Sequence, residues 1–179
     1  MPRHKNFEIK TPISNFKEVR SFAKNLYIHY KKKNFIIEYQ KDIYFKIQSG
    51  RLKLRIINKK IGELILYDRK ETKKLRVSKY IISRTEDFKN LNTILSNFFK
   101  VIVIVEKLRE IYIFNNIRIH LDKVKNLGEF LEFEIIYNNF NKAKKQMIFL
   151  IDYFKLDKHK FINHSYSDLL LEKNKLKGK

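Results

Sequence analysis

The chain has 179 residues, with 40 lysines and arginines against 19 aspartates and glutamates, for a formal net charge of +21 at pH 7. Its 44% hydrophobic content is enough to bury a core, and the basic excess suits an anionic partner such as nucleic acid, a phosphorylated metabolite or an anionic membrane. The absence of cysteine excludes a disulfide framework and a thiolate zinc site. No signal-peptide core opens the chain and no apolar run approaches the ~20 residues that span a bilayer, so the expectation is a cytoplasmic protein with no membrane partner.

Residues 5–11 alternate Asn6, Glu8 and Lys10 with Phe7 and Ile9, which predicts a strand that Pro12 stops. Ser14 is the expected cap of a helix with Phe16, Val19, Ala23, Leu26, Tyr27 and Tyr30 along one side, ending at the basic Lys31–Lys33. Phe35–Tyr39 is apolar. Asp42–Gln48 then alternates Asp42, Tyr44 and Lys46 with Ile43, Phe45 and Ile47. After the Ser49-Gly50 turn, Leu52–Ile57 opposes Lys53 and Arg55 to Leu52, Leu54 and Ile56. Two further strands are predicted: Glu63–Lys70, with Tyr67 and Arg69 on one face, and Leu75–Ile82, with Arg76, Ser78 and Tyr80 together.

Thr85-Glu86-Asp87 starts a helix whose apolar stripe is Phe88, Leu91, Ile94, Leu95 and Phe98. Val101–Phe114 reads as a long strand with Lys107 and Arg109 on one face, followed by a hairpin turn at Asn115-Asn116. Beyond it Arg118, His120 and Asp122 oppose Ile117, Ile119 and Leu121. After a turn at Lys125–Gly128, Phe130, Glu132 and Glu134 oppose Leu131, Phe133 and Ile135. A helix over 141–156 carries Ala143, Met147, Leu150, Ile151 and Phe154 on one side, and Ser165 with Asp168 predicts a reciprocally capped short helix over 165–172. The expected organisation is one domain, 1–173, and a basic, disordered tail, 174–179.

The fold class expected from these elements is α+β, mainly β: about eight strands closed into an antiparallel barrel, with the amphipathic helices packed outside. If the helices consume the apolar strand faces, the charged faces line the interior. That interior then holds Lys10, Lys53, Arg55, Arg69, Arg76, Lys107, Arg109 and Arg118, with the carboxylates Glu8, Asp122, Glu132 and Glu134. So many like charges require counter-charge, which a polyphosphate supplies through Arg forks and Lys ammoniums. The carboxylates would repel that phosphate unless a hard divalent cation, Mg²⁺ or Mn²⁺, sat between them. The competing reading is a half-exposed sheet whose charges are simply solvated.

The order of these motifs resembles the CYTH family, the triphosphate-tunnel metalloenzymes that include class IV adenylyl cyclases and thiamine triphosphatases. The resemblance rests on Glu8-Ile9-Lys10, on Asp42 to Phe45 and on Gly50 to Arg55. It continues through Tyr67 with Arg69, Ser78 with Tyr80, Val105 to Glu110, Arg118 to Val124, Leu127 to Glu134 and Ser165 to Leu170. It implies an eight-stranded tunnel and Mg²⁺- or Mn²⁺-dependent chemistry on a triphosphate: ATP, inorganic triphosphate or thiamine triphosphate. The metal ligands it implies are Glu8, Glu132 and Glu134, with Asp122 a further candidate on the same face. Lys10, Lys53, Arg55, Arg69, Lys107, Arg109 and Arg118 would hold phosphates, Arg76 joining them from the face pattern, and Lys10, Arg55, Lys107 and Arg109 are the candidates for catalysis. One position departs from the family signature, which has a glutamate where this chain has Asn6. The expected activity is conversion of ATP to cyclic AMP and pyrophosphate. The alternatives are an inorganic, nucleoside or thiamine triphosphatase and a non-catalytic polyphosphate- or RNA-binding module. His120 reads as a hydrogen-bonded histidine of the charged face rather than an acid or base.

Overall fold

The computed structural model describes residues 5–31, 33–68 and 79–177. In chain order the elements are β1 (Lys5–Pro12), α1 (Phe16–Ile28), β2 (Lys33–Phe45), β3 (Arg51–Ile57), β4 (Ile61–Asp68), β5 (Lys79–Thr85), α2 (Phe88–Phe98) and β6 (Val101–Phe114). They continue with β7 (Ile117–Val124), β8 (Gly128–Tyr137), α3 (Phe140–Tyr153), a 3-10 turn at Lys158–Lys160 and α4 (Tyr166–Lys177). The class is α+β, mainly β. Among the described residues no helix is long and apolar enough to cross a membrane.

The eight strands form one sheet in the order β1-β8-β7-β6-β2-β3-β4-β5. The expected closure of the barrel is not made by hydrogen bonds among the described residues, because β1 and β5 end the sheet without pairing. Ile13 N–H bonds to Glu129 C=O, so the odd-numbered residues face β8 and the even-numbered carbonyls point away. Lys10 C=O on that outer edge accepts from Ile162 N–H at 2.8 Å.

The chain divides into two compact units. The first comprises Met1–Ile37, Arg109–Lys123 and Gly128–Asn163. Here α1 contributes Phe16, Val19, Ala23 and Leu26 and α3 contributes Ala143, Met147, Leu150 and Ile151 to a core that includes Ile119, Leu121, Leu131, Phe133 and Ile135. These are the apolar sides of the alternating strands, so the helices cover that face and leave the ionic one on the other side of the sheet. The second unit comprises Glu38–Leu108, Val124–Leu127 and His164–Lys179. Its core is Ile43, Phe45, Leu52 and Leu54 under Leu95 of α2. A Cβ on Gly62 would lie 2.5 Å from the Phe88 Cβ, so glycine is what allows the start of α2 to approach β4.

Several local readings need correction. The α1 cap is Asn15, whose side chain accepts from Glu18 N–H, rather than Ser14. The two stretches read as 35–39 and 42–48 are one strand, β2, which stops at Phe45 as Lys46 N–H turns to Lys100 C=O. The last helix runs to Lys177 rather than ending at 172. The predicted strand over 75–82 falls partly on residues outside those described, and the observed β5 continues to Thr85 opposite Gly62.

Candidate active site

In the first unit the antiparallel register of β1 and β8 sets Lys10 opposite Glu132 and Glu8 opposite Glu134. Lys10 Nζ lies 3.0 Å from Glu132 Oε2. Glu132 Oε1 faces His120 Nδ1 at 3.0 Å and the Arg109 guanidinium at 3.4 Å. Burial alone would push the Glu132 carboxyl up, but Lys10, Arg109 and the His120 hydrogen bond hold it well below the ordinary value. Arg109 also forks onto both oxygens of Asp122, at 2.6 and 2.5 Å, and Asp122 is fully buried. Asp122 therefore acts here as the counter-ion that aims Arg109, with both oxygens committed to that fork. Burial pushes His120 down, as does Arg109, against the opposing pull of Glu132, which favours the neutral ring.

Glu134 accepts from Asn6 Nδ2 at 2.5 Å and from Arg118 at 3.2 Å. Asn6 thus turns its N–H toward the carboxylate, which leaves its Oδ1 buried and without a partner. For a hard cation to take Asn6 Oδ1 together with Glu134 and Glu8, which stands across from Glu134, the Asn6 amide would have to turn over. Among the described residues no three His, Asp or Glu side chains already converge on one point, so a cation here would draw its remaining ligands from water or phosphate oxygens.

The second unit carries a different arrangement. Asp42 of β2 stands opposite Arg55 of β3 in the ladder. It accepts from Lys53 Nζ at 2.7 Å and from the Arg55 fork at 2.7 and 2.8 Å, and Lys107 acts on it as a third cation. Burial would raise the Asp42 carboxyl, but Arg55, Lys53 and Lys107 hold it well below the ordinary range. Burial lowers Lys53 and Asp42 partly restores it. Lys53 Nζ also lies over the Tyr44 and Tyr67 rings, and Lys107 Nζ over Tyr166. Burial pushes the Tyr44 hydroxyl up to about 12, with Asp42 adding to it, so it stays a neutral hydrogen-bonding group.

At the edge of this face Arg51 binds α4: Asp168 at 2.9 Å, Ser165 at 3.1 Å and Ser167 at 3.4 Å. The predicted reciprocal cap is present, with Ser165 N–H on Asp168 and Asp168 N–H on Ser165 Oγ.

Of the residues singled out from the sequence, Lys10, Arg109, Arg118, Asp122, Glu132 and Glu134 gather on the first unit's face, with Glu8 in register. Lys53, Arg55 and Lys107 gather on the second unit's face. Arg69 and Arg76 lie outside the described residues. Sequence reasoning missed Asp42 as the hub of the second face, and Arg51, Tyr44 and Ser167 around it. The available signal was a carboxylate alternating with Tyr44, Ile43 and Phe45 at the apolar end of the strand.

The pattern of the CYTH domain matches residues 4–166. A protein of Methanocaldococcus jannaschii named "Putative adenylate cyclase" is 28% identical over 172 residues, covering 90% of this chain and 96% of that protein. A solved structure of a Pyrococcus horikoshii protein superposes with a TM-score of 0.78 at 24% identity, covering 92% of this chain and 98% of that one. A Vibrio parahaemolyticus structure, also titled a putative adenylate cyclase, gives 0.75 at 17% identity, covering 94% and 99%. This chain belongs to the CYTH domain family.

Proposed function

We propose that this protein is a divalent-metal-dependent enzyme acting on a triphosphate, and that its reaction is that of a class IV adenylyl cyclase, ATP to cyclic AMP and pyrophosphate. The observation that carries the reading is the buried Asp42 surrounded by Lys53, Arg55 and Lys107. Three cations around one carboxylate, held rigid by it, form an anion site whose charge is completed by phosphate oxygens. Asp42 fixes the Arg55 plane and the Lys53 ammonium, so these groups need no reorganisation when a phosphate arrives.

Mg²⁺ or Mn²⁺ fits the first unit, where Glu8, Glu132, Glu134 and Asn6 Oδ1 are the residues that would hold it. When bound it would neutralise phosphate charge. Lys10 and Arg109, beside Glu132, supply further positive charge on that face. In the cyclase reaction the ribose 3′ oxygen bonds to the α-phosphorus, the bond to the bridging oxygen of the β-phosphate breaks, and the hydroxyl proton passes to solvent. Positioning and charge neutralisation are what these side chains contribute to that displacement.

The test is incubation of the purified protein with ATP, inorganic triphosphate and thiamine triphosphate, each with Mg²⁺ or Mn²⁺, and identification of products. Cyclic AMP with pyrophosphate supports the cyclase. Release of orthophosphate would reassign the protein as a triphosphatase, and no turnover of any of them would overturn the enzyme reading.

A further inference from the structure

On the second unit's ionic face, Gln40 is 3% exposed and its Oε1 accepts no hydrogen bond. Its Nε2 donates to Glu38 Oε2 at 2.6 Å. A carboxylate only accepts, so the amide nitrogen has to face Glu38, and this fixes the direction of Oε1. A buried amide oxygen left without a donor is costly, and native proteins leave few of them. A ligand that brings a donor to this face would satisfy it.

The position of Gln40 says which part of a ligand that is. Glu38, Gln40, Asp42 and Tyr44 alternate along β2 and share a face. Gln40 is two residues from Asp42, about 7 Å along the strand, while Lys53 and Arg55 are anchored on Asp42 itself. In the other direction the Tyr44 hydroxyl is already bonded to Ser167 and Tyr67. Phosphates held by Lys53 and Arg55 therefore have an unmet acceptor a short distance away on the Gln40 side.

We infer that Gln40 Oε1 accepts a hydrogen bond from an exocyclic amino group on the organic part of the triphosphate, and that Glu38 is the positioning residue that holds the amide in that orientation. Adenine carries such an amine on its pyrimidine ring, and the aminopyrimidine of thiamine carries the same group. The inference rests on the triphosphate reading above. It adds a specificity-determining residue to it.

The experiment is calorimetric titration of the intact protein with tripolyphosphate, ATP, thiamine triphosphate and two ATP analogues. One is purine riboside triphosphate, which lacks the 6-amino group, and the other is inosine triphosphate, in which an oxo acceptor replaces it. ATP or thiamine triphosphate should bind at least tenfold more tightly than the deaminated analogue, with the 6-oxo analogue weaker still, because a site built to meet a donor rejects the ligand lacking it. Gln40→Met should reduce the preference of ATP over the deaminated analogue to about one, with its effect confined to amino-bearing ligands. Glu38→Gln should narrow the same preference by letting the amide turn over. Equal wild-type affinity for ATP and both analogues would overturn the inference whatever the variants do, while tripolyphosphate binding would leave the triphosphate reading standing. Failure of every triphosphate to bind would remove both. A Gln40→Met protein that loses tripolyphosphate and ATP binding alike would reassign Gln40 to the packing of the face.

Discussion

The two ionic faces are built by the same device, a strand alternating apolar and charged residues, yet they carry opposite chemistry. In the first unit Lys10, Arg109 and Arg118 stand among four carboxylates, Glu8, Asp122, Glu132 and Glu134. In the second, Lys53, Arg55 and Lys107 surround Asp42, while Glu63, opposite Arg55, is paired with Arg84 and Glu38 with Gln40. The first has charge for a cation to complete, and the second has charge for an anion to complete. Each sign of excess is set by one or two counter-ions rather than by the number of charged residues. Asp122 consumes the fork of Arg109, and Asp42 orients two cations at once.

The strongest way to break this comparison is Asp42→Ala. It would leave Lys53 and Arg55 buried without their counter-ion and should cost about 3–5 kcal/mol, read from the urea midpoint. Recovery of much of that loss by tripolyphosphate would show that an added anion takes over the role of the carboxylate. Glu132→Gln should cost less, about 1–3 kcal/mol for weakened charge-assisted bonds to Lys10 and His120. It should also abolish any rise in melting temperature with Mn²⁺ while keeping the rise with tripolyphosphate. Loss of both responses would mean that the faces are not separable in this way.

Asn6→Glu sharpens the first face. It replaces an N–H donor to Glu134 with a second carboxylate, so the metal-free protein should lose about 1–2 kcal/mol, and millimolar Mn²⁺ should restore it. The metal concentration at half-maximal stabilisation should fall below that of the wild type. An unchanged midpoint would place Asn6 away from the cation.

Acid should act on the second face through Asp42 and Asp168, whose carboxyls are held below their ordinary values. A depressed folded-state pKa contributes stability that is present above the unfolded value, near 4, and lost as pH falls through the folded one. Wild-type stability should therefore decline below about pH 4, and Asp42→Asn should flatten that decline when urea midpoints are compared across the range. The smallest effect belongs to the edge, where Ser165→Ala removes the cap of α4 and one contact of Arg51 and should cost about 1 kcal/mol, seen as faster amide exchange in the first turn of α4.

Much of this was legible in the sequence where local pattern alone decides structure. The long strand β6, its Asn115-Asn116 turn and the opposed rows on β7 and β8 follow from period-two alternation and a residue that accepts positive φ, as Asn115 does at 51°. What could not be read depends on partners distant in sequence. Asp42 becomes a hub only through the register that sets it opposite Arg55. The orientation of the Asn6 amide is decided by Glu134, and the outer edge of β1 meets Ile162 from the far end of the chain. Asp122 and Glu132 look alike as face residues in the sequence. The structure shows that Arg109 forks onto both Asp122 oxygens, while Glu132 is shared among Lys10, His120 and Arg109.

The pairing of β1 with β8 also has a consequence for the order in which the protein is completed. Asn6 and its partner Glu134 are separated by 128 positions along the chain. During synthesis β1 emerges long before the strand it pairs with, whereas the β2–β3 and β4–β5 ladders join neighbouring segments. Because distant pairings carry the larger loop-closure cost and domains form as their residues appear, the Asp42, Lys53 and Arg55 cluster of β2 and β3 is expected to form before the carboxylate face, whereas α4, which engages Arg51 and Lys107, follows β8 in the chain. The carboxylate face stays unmade until β8 has left the ribosome. A nascent chain halted before Gly128 would already hold Asp42 against Lys53 and Arg55, but would present Glu8 and Lys10 on a strand without a partner.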